Sequence, residues 1–347
     1  MRIFKIVLQA SLILVLALVL WHSNLVLYGV VQLKGQLSLI NNCEDRDSFL
    51  SRHNDSLKVK FDQVDEIILY AQSEMGYQTN DNYSQVFDQK GKPVMWVLSA
   101  SKPYELKPYL WEFPLVGGFP YKGYFNEQRA QREMDLLKRQ GLEVDLGHVN
   151  AWSTLGYLED PILSSMLKFS EGKLARLLLH ELTHTNIYVK DSVTWNENFA
   201  TFIGNHAAIG YLSKKYGCES AEVKEMNRFL SSMNTLNQFF KVKAEELDEL
   251  YKSNQGLPDE QKQILKTAFF QNMKEEWNHL PIEERTKNRL NQRFNEGRID
   301  NNFLLTYMTY TSQLAQLNEI LDRKYKGDLK RMINEILLNG NSLNHLF

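Results

Sequence analysis

The chain has 347 residues, of which 43% are hydrophobic and 24% charged, with a formal net charge of −2. That length supports one large core or two modest ones. The near-neutral balance, with no sustained basic stripe, argues against nucleic acid as a partner. Two cysteines are present, Cys43 and Cys218, and neither belongs to a CxxC pair. A disulfide framework and thiolate-rich zinc or iron–sulfur sites are excluded, and unpaired thiols are expected, although one bridge between the two stays open.

Arg2 and Lys5 precede an almost unbroken apolar run from Ile6 to Trp21, interrupted by Gln9 and Ser11. The stretch from Ile3 to Trp21 holds 19 residues, close to the roughly 20 that cross a bilayer. It has no polar face, no small-x-small cleavage site follows it, and no lipobox cysteine stands after it. Residues 1–27 are therefore expected to form an uncleaved transmembrane helix, a signal anchor with Arg2 and Lys5 on the cytoplasmic side. Residues 28–347 would then lie on the extracytoplasmic, periplasmic side. Secretion after signal cleavage is the alternative.

Leu57–Met75 carries helix-spaced apolar positions: Leu57, Phe61, Val64, Ile67, Ile68 and Ala71. Residues 77–125 are rich in aromatics, proline and glycine, with short β-like runs at Val94–Ser99 and Trp111–Val116. A helix is predicted over Asn126–Gln140, ended by Gly141, and a weakly alternating strand over Glu143–Val149. From Ser170 onward nearly everything reads as helix, with breaks at Gly217, Gly256–Pro258, Pro281, Gly297 and Gly327. The fold class is thus mainly α with a small β-sheet (α+β), and no linker is long enough to require two domains after the anchor.

Residues 174–188 read LARLLLHELTHTNIY. His180 and His184 sit one turn apart on one face of a helix, where two imidazoles can grip one zinc. Glu181, rotated about 100° from His180, lies beside the metal, where it can hold a water. Leu174, Leu178 and Leu182 form the opposite, buried face. With eight histidines in the chain, an HExxH string arises by chance in roughly one such sequence in a hundred. The assignment therefore needs a third ligand.

Positions 187 and 190 are Ile and Lys, which excludes the metzincin pattern. A second helical segment, TWNENFATFIGNHAAIG, begins at Thr194, and Glu197 is expected in its first turn, folded back on the zinc by a short loop over Lys190–Asn196. Small residues follow on its face (Ala200, Thr201, Gly204), and Phe199, Phe202 and Ile203 offer apolar packing surface. Two histidines and a carboxylate leave zinc's fourth position open, the mark of a catalytic rather than a structural site. His206 is a competing ligand, but nine residues on it lies roughly 900° round the helix, on the far side from Glu197. Asp191 or Asn196 could orient a ligand histidine. Tyr157, Tyr188, Tyr307 and Tyr310 are candidates to stabilise an oxyanion, and His53, His279 and His345 lack ligand spacing.

The segment His180–Gly204, HELTHTNIYVKDSVTWNENFATFIG, resembles the core of a bacterial family of predicted aminopeptidases with gluzincin-type zinc sites. NENFA is similar to the NExFA segment of gluzincin aminopeptidases at large. Collinear agreement extends to Gly35–Leu37, to the FPLVGG…PYKGYF region at Phe113–Phe125, to WSTLGYLEDP at Trp152–Pro161, and to Thr309–Tyr310 after Asn301–Asn302. The likeness covers roughly residues 28–325. It implies a zincin-like core of two packed active-site helices within residues 170–215. It also implies one Zn²⁺ per chain on His180, His184 and Glu197, Glu181 as base, and Tyr310 as the tyrosine of interest. Members commonly begin with a lipobox cysteine, replaced here by the apolar run. They often carry cysteines flanking the FP–G segment, where this chain has Glu112 and Gly118. The aminopeptidase label comes from the likeness alone, because no residue is marked by spacing as an amine-binding carboxylate.

The expected activity is zinc-assisted hydrolysis of a peptide or protein substrate, on a chain held to the membrane by its N-terminal helix. A membrane-tethered zinc-binding scaffold without turnover, and hydrolysis of a non-peptide bond, are the other readings. An uncleaved Ile3–Trp21 span predicts a mature protein that keeps its N-terminus and resists carbonate extraction. N-terminal sequencing that starts beyond residue 21 would instead identify a cleaved signal.

Overall fold

The chain enters the fold through a helix that no cap or periodicity announces. In the computed structural model, which describes residues 23–113, 117–149, 159–190 and 192–338, helix α1 (Ser23–Asn41) runs straight through residue 27, where the anchor was expected to end. One face docks: the Tyr28 hydroxyl and the Gln32 amide both donate to the Gly123 carbonyl, and a Cβ at Gly35 would fall 2.2 Å from the Phe125 ring. Val26, Leu27, Val30, Leu33 and Leu37 point away, 41–58% exposed. A helix apolar on both faces has no amphipathic period to read, so the sequence merges it with the run before it. The expected span Ile3–Trp21 lies outside the described residues, and among those described no helix is long and apolar enough to cross a membrane.

β1 (Cys43–Asp45) leads into the short helix α2 (Arg46–Ser51), then α3 (Lys58–Met75), which ends in a left-handed Gly76. β2 (Gln85–Phe87) pairs antiparallel with β1 and parallel with the later β8 (Ile162–Leu163). The central sheet has β3 (Trp96–Ser101) between two antiparallel neighbours, β6 (Tyr121–Tyr124) and β7 (Glu143–His148). β4 (Trp111–Phe113) and β5 (Gly117–Phe119) make a hairpin whose tip lies outside the described residues. Where one small sheet was expected, the described residues form three. α4 (Glu127–Arg139) follows its sequence signals closely. The Asn126 side chain caps its N-terminus by accepting from Arg129 N at 3.0 Å, and Gly141 leaves it at φ 80°.

The rest is helical: α5 (Glu171–Asn186), α6 (Val193–Tyr216), α7 (Ala221–Ser253), α8 (Asp259–Asn278), α9 (Glu284–Asn295), α10 (Asn301–Thr311), α11 (Leu314–Tyr325) and α12 (Leu329–Leu338). The five expected breaks all fall between helices. Beyond these and the expected loop between α5 and α6, the described residues show a break at Ser312–Gln313 that no glycine or proline marks. The main core joins α1, α3, α5, α6, α11 and α12. A second core around Phe240, Trp277 and Phe303 lies among α7–α10, and a third packs the central sheet on α4. Cys43 and Cys218 are unpaired, as expected.

α5 and α6 make the most extensive helix–helix contact of the fold. Leu174, Leu178, Leu179 and Leu182 are fully buried on α5, each worth about 1.5–3 kcal/mol against exposure. Gly204 sets the distance between the two helices, because a Cβ there would lie 2.7 Å from the Arg176 carbonyl and 3.2 Å from the His180 Cβ. Gly204→Ala gains about 1 kcal/mol of helix propensity but must push apart two backbones, at a cost of about 1–3 kcal/mol. A net loss of stability in denaturant titration is expected. A variant as stable as the parent would show that the helices do not need this approach.

Candidate active site

Asparagines fix the connection between α5 and α6, which carry the three candidate side chains. Asn186, in the last turn of α5, donates to Leu182 O at 2.8 Å and exchanges a pair of bonds with the Gln78 backbone, which ties the helix end to the segment after α3. Asn196 closes the connecting loop: its Oδ1 accepts from Val189 N at 2.9 Å and its Nδ2 donates to Val189 O at 2.7 Å. Asn196 was one of two residues that could orient a ligand histidine; its amide bonds the Val189 backbone of the loop. α6 also begins earlier than expected, at Val193, so Glu197 stands in its second turn rather than its first. Asp191 and Tyr157 lie outside the described residues.

This packing brings three side chains to one point. His180 Nε2 and His184 Nε2 stand 3.2 Å apart, and each is 3.6 Å from Glu197 Oε2. Among the described residues these three form the group of histidines and acids whose ligand atoms converge enough to share an ion. The fit to zinc can be checked by geometry. Atoms at tetrahedral positions about 2.0–2.2 Å from an ion stand about 3.3–3.6 Å from one another, close to the three separations found. Thr201 Oγ1 lies 3.5 Å from His180 Nδ1, placed to fix that ring's direction. His206 is not part of the group; its Nε2 pairs with Asn318 Oδ1 at 2.7 Å.

The charges fit the same picture. Burial would raise the Glu197 carboxyl, but the two imidazoles outweigh it and hold it down at about 2. Burial works against a charged His184, and Glu197 more than compensates, so this ring keeps its proton above the ordinary histidine value of 6.5. Glu181 goes the other way. Burial pushes its carboxyl up, with Glu197 and Asp160 adding to the shift and the histidines opposing it.

The tyrosines separate clearly. Tyr310 is 37% exposed over the whole residue, but its hydroxyl end is enclosed. Burial, then the negative Glu197, then Tyr121 and Glu181 push it well above the usual tyrosine range. Tyr307 packs on Phe240 in the second core, with ring centroids 4.6 Å apart. Tyr188 is 39% exposed. Tyr121, which was not among the candidates, shares the neighbourhood: burial and Glu197 raise it, with Tyr188 also contributing. It arrives on β6, opposite Ser99 of β3; it lies in the PYKGYF stretch of the family likeness, which alone did not single it out. His53 and His279 are exposed as expected, and His345 lies outside the described residues.

A family model described as "Putative aminopeptidase" matches residues 28–340. No curated protein and no solved structure matches the chain.

If the three converging side chains hold a zinc, His180→Ala and His184→Ala should each lose it, Glu197→Gln should bind it far more weakly, and His206→Ala should keep it. Metal analysis of the purified variants checks this, and loss through His206 alone would reassign the third ligand. Protons compete for the same nitrogens. Apparent zinc affinity should therefore weaken as the pH falls, the more so because Glu197 favours the protonated form of His184.

Proposed function

The chain belongs to the aminopeptidase family whose model it matches over residues 28–340, and on that premise we propose that it is a zinc-dependent peptidase with Glu181 as general base. The observation that carries the reading is the convergence of His180, His184 and Glu197 at separations of 3.2–3.6 Å. A zinc ion held by two histidines and a carboxylate lowers the pKa of water from about 15.7 toward 7 and polarises a substrate carbonyl. Everything else falls to the chain's own groups.

Glu181 neighbours the ligand His180 in sequence, and its raised proton affinity suits the task. A carboxylate poised nearer neutrality takes a proton from attacking water more readily and can return it to the departing amine. Tyr310 is protonated throughout the physiological range, as an ordinary tyrosine is, and burial beside Glu197 only strengthens that. It is therefore a donor, fit to meet negative charge developing on the scissile carbonyl oxygen. Tyr121 is the second such hydroxyl. Preference for the amino-terminal residue follows from the family, and the apolar run Ile6–Trp21 would tether the enzyme to a membrane.

A mixed peptide library incubated with the zinc-loaded protein tests the activity. Cuts after the first residue are expected, internal cuts would mark an endopeptidase, and no cuts would favour a binding scaffold. Glu181→Gln should keep zinc and fold but lose about 10²–10⁴ in rate. Tyr310→Phe should lose about 10²–10³ in kcat, with little change in zinc content or KM. Near-normal turnover by zinc-loaded Glu181→Gln would sink the mechanism. A silent Tyr310→Phe would move the oxyanion role to Tyr121.

A further inference from the structure

The break between α10 and α11 has a specific cause. A helix continuing from Asn301 through Tyr325 would bond the Gln313 N–H to the Thr309 carbonyl, four residues back. That bond is absent because another side chain occupies its place. Asn198 Nδ2 donates to Thr309 O at 2.8 Å, and Asn198 Oδ1 accepts from Gln313 N at 2.8 Å. The second amide hydrogen goes to Thr194 O, also at 2.8 Å. A side chain inserted into the helical ladder is one of the few ways to break a helix without proline or glycine. Asn suits the task, since one planar amide offers both the donors and the acceptor that the severed bond leaves unmet.

Asn198 is fully buried, and it follows the ligand Glu197 on α6. The carbonyl it holds belongs to the residue before Tyr310. We propose that Asn198 is the positioning residue for Tyr310: by splitting the α10–α11 helix and clamping the split to the ligand helix, it sets the Tyr310 hydroxyl at the metal site. The inference rests on the catalytic role given to Tyr310 above, but the clamp itself is a matter of geometry. An ordinary buried asparagine could satisfy itself anywhere on α6. This one bonds at the point where α10 would otherwise run on into α11, and so ties the end of α10 that bears Tyr310 to the ligand helix.

Asn198→Asp keeps the shape and the acceptor but cannot donate to either carbonyl. Asn198→Leu removes the insertion altogether, so that Gln313 N–H can close on Thr309 O. Both are expected to retain zinc, to lower kcat about as far as Tyr310→Phe does, about 10²-fold, and to leave KM within about twofold. In the Tyr310→Phe background each should add less than about twofold, because the group being positioned is already gone. Losses that multiply with Tyr310→Phe would reduce Asn198 to a packing residue and overturn the proposal.

Two readouts are independent of turnover. The Gln313 amide of the parent protein should be strongly protected from hydrogen exchange, and a freely exchanging amide refutes the clamp whatever the variants do. With 3-fluorotyrosine at position 310 and cobalt in place of zinc, the ¹⁹F resonance should be strongly shifted by the paramagnetic ion in the parent and much less in Asn198→Asp or Asn198→Leu. An unchanged shift in folded, cobalt-loaded variants overturns the proposal. A shift that behaves as expected in a protein that cleaves no peptide would leave the positioning intact and put the error in the peptidase reading.

Discussion

The site depends on how closely two helices approach at a residue without a side chain. Gly204 of α6 faces the Arg176 carbonyl and the Cβ of His180, and even a methyl group would have to lie 2.7 Å from that carbonyl. The apolar faces of α5 and α6 supply the adhesion, through the four buried leucines on one side and Phe199, Phe202 and Ile203 on the other. Adhesion alone does not fix a distance. The missing Cβ does, and it lets a carboxylate on one helix reach within 3.6 Å of two imidazoles on the other. A group of side chains meant to act together tolerates misplacement of only about half an ångström, so this backbone contact governs whether the three side chains can converge at all.

The same packing gives two glutamates opposite characters. Both are removed from water, which by itself raises a carboxyl pKa. Glu197 meets the two imidazole nitrogens and is drawn down to about 2, so it stays an anion fit to ligate. Glu181 receives only partial compensation and is pushed up, so its proton is easier to gain. Environments that push two carboxylates apart in this way are what the ligand and base roles proposed for Glu197 and Glu181 would need.

Around these groups the irregular parts of the fold are held by asparagine amides. Asn196 closes the loop that delivers α6, Asn186 fixes the end of α5, and Asn198 holds open the α10–α11 break. Asn196 and Asn186 pair with loop backbone, and Asn198 pairs with the Thr309 carbonyl and the Gln313 N–H that the break leaves unsatisfied. The active-site geometry is therefore set by short, directional bonds at helix ends, while the hydrophobic cores supply most of the stability.

Much of this was legible in residue order alone, wherever the cause is local. The 180–184 spacing places two histidines on one face. Leu174, Leu178 and Leu182 bury the other face, Asn126 caps α4, and Gly141, Gly217, Gly297 and Gly327 stop helices through left-handed or otherwise open backbone conformations. Glu197 could be named because it lies only one loop beyond the motif. Tertiary structure decided the rest. α1 has no readable period because both its faces are apolar. Tyr121 is placed by the pairing of β6 with β3, close enough for Glu197 to raise its pKa, and the Ser312–Gln313 break is bridged by Asn198, 115 residues earlier in the chain. Period, caps and turn residues act within a few residues and leave a local mark. A side chain that enters another helix's ladder leaves none, because its partner is chosen only when the helices pack.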